Sequence, residues 1–201
     1  MKKLFIPLLF VIILLFAGCK DNGTQPLDTS VIWPLKVGNY WDYRMYDYDS
    51  NGNIINDTLI HLEVITDTTI LGRSLYKIND EPIYFYNLSD GLYVLMLDYS
   101  GKDTNVLFLK YPANNNDYFN AEDDTTFVTN TSANIIVPAG SFNCYQYSGM
   151  KRYGNNSQIF FKMVMYFAPG IGWIKTENYD KDFYGNIKLY SITELITYKL
   201  Y

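Results

Sequence analysis

The sequence is poorest in the residues that most often do chemistry. Its 201 residues include one His and two Cys. Zinc, haem and iron–sulfur sites draw on several such side chains at once, so most of them are excluded. Basic residues are scarce as well: 16 Lys and Arg stand against 21 Asp and Glu, a net charge of −5. That balance argues against a general nucleic-acid binder, whose phosphate contacts need Lys and Arg. No Gly-rich phosphate loop, G-x-S-x-G or H-E-x-x-H motif occurs. From Val31 onward no 12-residue window carries the 3.6-residue apolar period of an amphipathic helix, and no internal repeat is visible. These absences predict a protein that is not an enzyme and holds no cofactor and no functional metal.

What the chain does have is apolar and aromatic. Hydrophobic residues make up 48% and charged residues 18%, enough for a real core and too little charge for a disordered chain. Aromatics reach 17%, with 20 Tyr, 12 Phe and 3 Trp, a composition that favours strands over helices. The length suits one domain.

The first residues are an address. Met1-Lys2-Lys3 is cationic, Leu4 to Phe16 is an apolar run broken only by Pro7, and Ala17-Gly18 are small. This is the pattern of a secretory signal, and the run is too short to span a bilayer. Leu15-Phe16-Ala17-Gly18-Cys19 resembles the lipobox of bacterial lipoproteins. The resemblance implies cleavage after Gly18 and acylation of Cys19, which would place the protein in the cell envelope as a membrane-anchored lipoprotein. Residues 1–18 then form a signal helix and peptide. Residues 19–30, with Gly23, Pro26 and no periodicity, form a lipidated Cys and flexible tether. Residues 31–201 form the single body.

That body reads as consecutive short strands punctuated by Gly, Pro, Asn and Asp. Tyr40–Tyr48 is the first, with Trp41, Tyr43 and Met45 on one face. Asn51-Gly52 is the hairpin signal of a type I′ turn. Thr58–Thr66 returns, with Ile60, Leu62 and Val64 on one face and His61 and Glu63 on the other. Further strands are expected over Ser74–Ile78, Ile83–Asn87, Leu92–Tyr99, Asn105–Tyr111, Thr125–Val137, Phe142–Arg152, Gln158–Phe167, Gly172–Tyr179 and Asn186–Tyr198. The apolar face of Gln158–Phe167 comprises Ile159, Phe161, Met163, Met165 and Phe167, and the last strand changes face near Ser191, which predicts a bulge. Asn114 to Asp124 is polar and reads as a surface loop. About ten antiparallel strands joined by short turns cannot stay flat. The expected class is therefore all-β, a strongly curved, mostly antiparallel sheet, half-barrel or barrel-like.

Few constellations could carry chemistry. His61 beside Glu63 has no nucleophile motif near it and reads as an exposed strand His. Asp47-Tyr48-Asp49-Ser50-Asn51-Gly52 copies half of an EF-hand loop, but position twelve is Thr58, so the hairpin is the better reading. Asp117, Glu122, Asp123 and Asp124 could bind calcium weakly or simply be a solvated loop. Cys144 has no partner once Cys19 is acylated and reads as a buried thiol. Tyr40, Tyr43, Tyr46 and Tyr48, with Tyr84 and Tyr86, could stack on sugars, line an apolar cavity or merely pack.

Three stretches carry a wider resemblance: Trp33-Pro34-Leu35-Lys36-Val37-Gly38-Asn39-Tyr40-Trp41, Val137-Pro138-Ala139-Gly140-Ser141-Phe142-Asn143-Cys144, and Tyr166-Phe167-Ala168-Pro169-Gly170-Ile171-Gly172-Trp173-Ile174-Lys175. Together they resemble uncharacterised bacterial envelope proteins similar to the domain of unknown function 3108. That group looks like the half-barrel fold of periplasmic lipoprotein carriers. The resemblance implies a curved sheet and an apolar cavity, and it brings no catalytic residues. The expected function is binding of an apolar ligand or an envelope partner on a face that includes Trp41, Tyr43, Met45, Phe161, Met163 and Met165. The alternatives are a structural or interaction lipoprotein with a filled core and a glycan-binding surface lipoprotein. The other expected partner is the membrane, through the anchor.

Overall fold

A computed structural model describes residues 27–70, 72–97, 103–121, 124–152, 159–182 and 184–201. The signal sequence and Cys19 lie outside the described residues. Twelve strands are present, and no helix occurs among the described residues. They are β1 Tyr40–Tyr48, β2 Ile54–Ile70, β3 Arg73–Ile78, β4 Ile83–Leu88, β5 Gly91–Leu97, β6 Asp103–Lys110, β7 Tyr118–Ala121, β8 Asp124–Val137, β9 Gly140–Arg152, β10 Ile159–Ala168, β11 Gly172–Lys181 and β12 Ile187–Lys199. The all-β expectation holds, with one or two strands more than the sequence suggested. Among them is β7, which lies inside the stretch expected to be a loop. Its Phe119 is buried and packs at 6.2 Å from Tyr147, which gives this otherwise polar stretch a reason to order.

Every pair of consecutive strands except β6 and β7 is antiparallel, and β1 pairs with β12. The sheet order is β6-β5-β4-β3-β2-β1-β12-β11-β10-β9-β8-β7. The chain is thus one up-and-down meander whose first and last strands meet, a barrel open only between β6 and β7. Those two edges lie beside each other. Lys110 Nζ of β6 pairs with Asp117, just before β7, at 2.9 Å, and Tyr147 Oη of β9 donates to Lys110 O at 2.9 Å.

Alternation decides which side chains enter the core. On β1, Trp41 and Tyr43 are fully buried. On β2, Val64 is buried while His61 is exposed. Tyr190 is the extra residue of a bulge, since Ser191 pairs with Asn178 and Leu189 with Tyr179. This is the face change expected near Ser191. The β1–β2 turn differs from expectation, because only Gly52 takes a positive φ, +84°, whereas type I′ needs two such residues. Here Gly52 N donates to Asp49 O at 3.0 Å, and the Asp49 carboxylate accepts from Asn51 N and Asn53 N at 2.8 and 2.9 Å. The β11–β12 turn repeats the design, with Asp182 accepting from Tyr184 N and Asn186 N. Asp-x-x-Gly-Asn therefore occurs twice, at neighbouring hairpins, as a local turn code that spends the carboxylate on backbone donors.

The segment before β1 closes one end of the barrel. Ile32, Trp33 and Leu35 are buried, and the Trp33 ring meets Trp41 and Phe85 edge-on at 5.4 Å and Phe167 at 6.0 Å. Burying roughly 200 Å² of indole is worth about 5 kcal/mol at ~25 cal/mol/Å². The strap's backbone is held by Gly170 N to Val31 O at 2.9 Å, Tyr111 Oη to Thr29 O at 2.6 Å and Asn87 Nδ2 to Trp33 O at 2.9 Å. Leu27 to Ser30, the described part of the expected tether, is thus laid against the body. Gly172 makes the closure possible: its φ is +107°, and an added Cβ would overlap the Trp33 ring. Among the described residues, every strand and every buried core residue lies within Leu27–Tyr201, so this piece carries that core whole.

Candidate functional site

The strands line a partly open pocket of about 380 Å³. Its apolar wall comes from Trp33 of the strap, Leu62 of β2, Phe85 of β4, Phe108 of β6, Met163, Met165 and Phe167 of β10, and Trp173 of β11. The volume falls near the low end of the ~300–1,000 Å³ range of small-molecule sites. It gives room for one slender molecule.

One wall is different. Thr176 and Asn178 of β11 and Thr193 of β12 also line the pocket. Register brings them together: Thr176 is opposite Thr193, and Asn178 is opposite Ser191. On the other side, Met165 pairs with Thr176 and Met163 with Asn178. Thr176, Ser191 and Thr193 are buried. Trp173 Nε1 donates to Thr176 Oγ1 at 2.7 Å, and Asn178 Nδ2 donates to Ser191 Oγ at 2.9 Å. Asn178 Oδ1 is sealed from solvent and has no partner, and the same is true of Trp33 Nε1. Buried polar atoms are nearly always satisfied, so unpaired ones in the walls of one pocket are informative.

The charges of the same strands lie on the opposite face. Lys175 Nζ sits 3.2 Å from Glu177 and 3.1 Å from Glu194. Burial alone would lower the Lys175 pKa, but hydrogen bonds to Glu194 and Glu177 outweigh it and hold it above the ordinary lysine value. Tyr179 Oη donates to Glu177 at 2.9 Å, and burial with that bond pushes its pKa up to about 12.

Of the expected apolar face, Met163 and Met165 line the pocket. Trp41 and Tyr43 are fully buried against its wall residues: Trp41 contacts Trp33, and Tyr43 lies 4.4 Å from Trp173 and donates to Trp173 O at 3.0 Å. Met45 and Phe161 are outside it. Met45 is half-buried, and Phe161, next to a β10 irregularity, packs at 6.0 Å from Tyr190 instead. Phe85, Phe108, Thr176, Asn178 and Thr193 were not singled out from sequence. For Phe85 the signal was there: it alternates with Tyr84 and Tyr86, so only one of the two sets can face the lumen. For the polar residues no apolar pattern could have pointed inward.

The remaining constellations resolve individually. His61 Nδ1 lies 2.6 Å from Asp42 and Nε2 3.6 Å from Glu63, on the exposed face. The Asp42 hydrogen bond leads in raising its pKa. The half EF-hand is the Asp49 turn described above. Asp117 is held by Asn114 N at 3.0 Å and by Lys110, which lower its pKa. Glu122 and Asp123 lie outside the described residues. Among the described residues no group of three or more His, Cys, Asp or Glu is placed to hold a metal ion. Cys144 is fully buried, and desolvation pushes its thiol up to about 12. The most exposed aromatics are scattered, with Tyr118 beside Phe127, Tyr184 in the β11–β12 turn and Tyr201 at the C-terminus. A second pocket of about 480 Å³, of mixed polarity, lies where Thr29 passes Tyr111, Phe142 and Pro169.

No curated protein matches the chain. Among solved structures, an exported protein of Bacteroides fragilis described as having a YmcC-like fold is similar, with a TM-score of 0.51 and 14% identity over 84% of this chain and 98% of that one. That likeness shows the fold. A protein of Parabacteroides distasonis described as a lipoprotein aligns with a TM-score of 0.49 and 18% identity over 87% of this chain and 100% of that one. The DUF3108-like family matches residues 109–195. That range includes two of the three stretches on which the resemblance was read, from Val137 to Cys144 and from Tyr166 to Lys175. By sequence over this range, the chain is similar to the DUF3108-like family.

Proposed function

We propose that this chain is a lipid-anchored protein of the bacterial cell envelope, not an enzyme, whose barrel binds one small apolar ligand. The observation that carries the reading is the lumen of about 380 Å³ walled by Trp, Phe, Met and Leu from five strands and the strap. An apolar lumen of this size with few polar groups is the usual form of a small-ligand site. Met163 and Met165 add side chains that adapt to varied apolar shapes. The Cys19 lipobox and the exported fold neighbour support the envelope assignment. The non-enzymatic reading rests on His61, which is occupied by two carboxylates on an exposed face.

The binding test is a titration of the Leu27–Tyr201 body with the uncharged fluorophore N-phenyl-1-naphthylamine. Saturable binding at tens of micromolar or below, roughly −6 kcal/mol or better, is expected. Met163→Trp, which fills the lumen, should weaken it about tenfold, and Leu59→Ser on the exposed face should not. Absence of binding would instead favour a filled-core structural lipoprotein. For the anchor, Cys19→Ser should move the protein from the membrane to the soluble fraction.

A further inference from the structure

The ligand's head group can be read from the one polar wall of the pocket. This inference rests on the apolar-ligand reading and goes one step past it. Among the described residues, no charged side chain lines the lumen. The nearest lysine along β11, Lys175, sits on the other face of the strand between two glutamates. An ionised carboxylate or ammonium entering the lumen would therefore be desolvated without a counter-charge, which is costly. The wall offers neutral groups instead. The Thr176 hydroxyl already accepts from Trp173 Nε1 at 2.7 Å and keeps its own proton to donate. Thr193 stands directly across from it, nearly fully buried. The Asn178 amide spends its nitrogen on Ser191 and leaves its oxygen unpaired. Asn178 is only part-buried and lines the lumen. With the amide turned over, the free group is an N–H, and a hydroxyl satisfies it equally.

We propose that the pocket takes an amphiphile with a single uncharged hydrogen-bonding head, a hydroxyl or an amide, set against Thr176, Asn178 and Thr193, its apolar body lying along the Met163–Met165 side. A fatty acid or an alkylamine of the same length is disfavoured. The geometry fits because Met163 and Met165 pair in register with Asn178 and Thr176, so head and tail contacts come from adjacent strands.

The test is displacement of N-phenyl-1-naphthylamine from the Leu27–Tyr201 body at pH 8 by 1-decanol, decanoate and decylamine. Decanol should displace the probe at about tenfold lower concentration than either ion, equivalent to about 1.4 kcal/mol. Asn178→Leu and Thr193→Val should each shrink that ratio several-fold. Thr193→Val is nearly isosteric and carries the test if Asn178→Leu fails to fold. Decanoate or decylamine displacing as well as decanol, or a ratio unchanged in both variants, would overturn the head-group assignment while leaving apolar binding in place. A probe that does not bind at all would overturn both.

Discussion

Two walls face each other across the lumen, and they are held in different ways. The β9–β12 wall is built from strands of 13, 10, 10 and 13 residues, paired along most of their length. The wall opposite is short. β3 and β4 have six residues each, and their register runs over two pairs, Tyr76 with Phe85 and Lys77 with Tyr84. What this wall lacks in ladder it gains in side chains on both faces. Phe85 faces the main core, and on the other face Leu75, Tyr86 and Leu95 form a separate buried cluster with Tyr84 and Tyr93. Tyr86 stacks on Tyr93 at 5.4 Å, lies under Arg73 at 5.7 Å and donates to Asn105 at 2.9 Å. The long-strand wall can afford polar residues inward, Thr176 and Thr193, and charged ones outward, Lys175 and Glu194. Polar chemistry sits where the backbone ladder needs least help from apolar packing.

The most damaging single change should strike the junction of strap and long wall. Gly172→Ala adds a Cβ that overlaps the rigid Trp33 ring, at a φ that L-residues avoid. A loss of about 4 kcal/mol is expected, lowering the thermal midpoint by roughly 10 °C. Gly52→Ala has a similar φ and open space around it, so it should cost only about 1 kcal/mol. Equal midpoints for the two variants would remove the strap from its structural role.

The short wall should answer to its outer cluster. Leu75→Ala should cost about 3 kcal/mol. Hydrogen exchange should rise in β3–β5 well before it rises in β10–β12. Uniform acceleration across the barrel would mean the two walls are one cooperative unit and the contrast is lost.

Within the long-strand wall, Cys144 reports packing of β9. With its thiol pushed to about 12, native protein at pH 8 should resist a disulfide-exchange reagent and react fully in denaturant. Rapid reaction of the native protein would show that β9 opens.

The smallest effect belongs to the exposed face of the β1–β2 pair. The molecule has one His, so a single imidazole resonance should titrate above the ordinary value near 6.5. Because the folded value is raised, the stabilisation is fully present below about pH 6.5 and is lost as pH rises through the folded value. Asp42→Asn should bring the resonance back toward the ordinary value and flatten that dependence. An unshifted His61 in the wild type would remove the pair from solution.

Much of this architecture was legible in the chain. Alternation put Trp41, Tyr43 and Val64 in the core and His61 outside, and the apolar face of β10 is present as read at Met163, Met165 and Phe167. The face change near Ser191 marked the Tyr190 bulge. Other features were not legible, for physical reasons. Phe161 and Met45 carry the right polarity, yet they lie outside the pocket, and polarity does not say where along a strand a lumen narrows. The turn at Gly52 shows Asn-Gly forming a different turn once Asp49 supplies a side-chain acceptor for two backbone donors. β7 lies in a polar stretch, and its Tyr118-Phe119 became a strand because β8 and the Phe119–Tyr147 contact were there to receive it.

The sequence alone determined the all-β class, and it carried the expectations of an envelope address and of few catalytic groups. A cationic apolar start with Cys19, period-two alternation between turn residues, one His and two Cys are local properties, and each has a local physical meaning. Tertiary structure decided the rest: that β1 would find β12, that Trp33 would enter the lumen past Gly172, and that Thr176, Asn178 and Thr193 would meet Met163 and Met165 around one small space. A cavity is what remains after side chains distant in sequence have packed. Its shape and its unpaired atoms belong to the assembled barrel and to no segment of it.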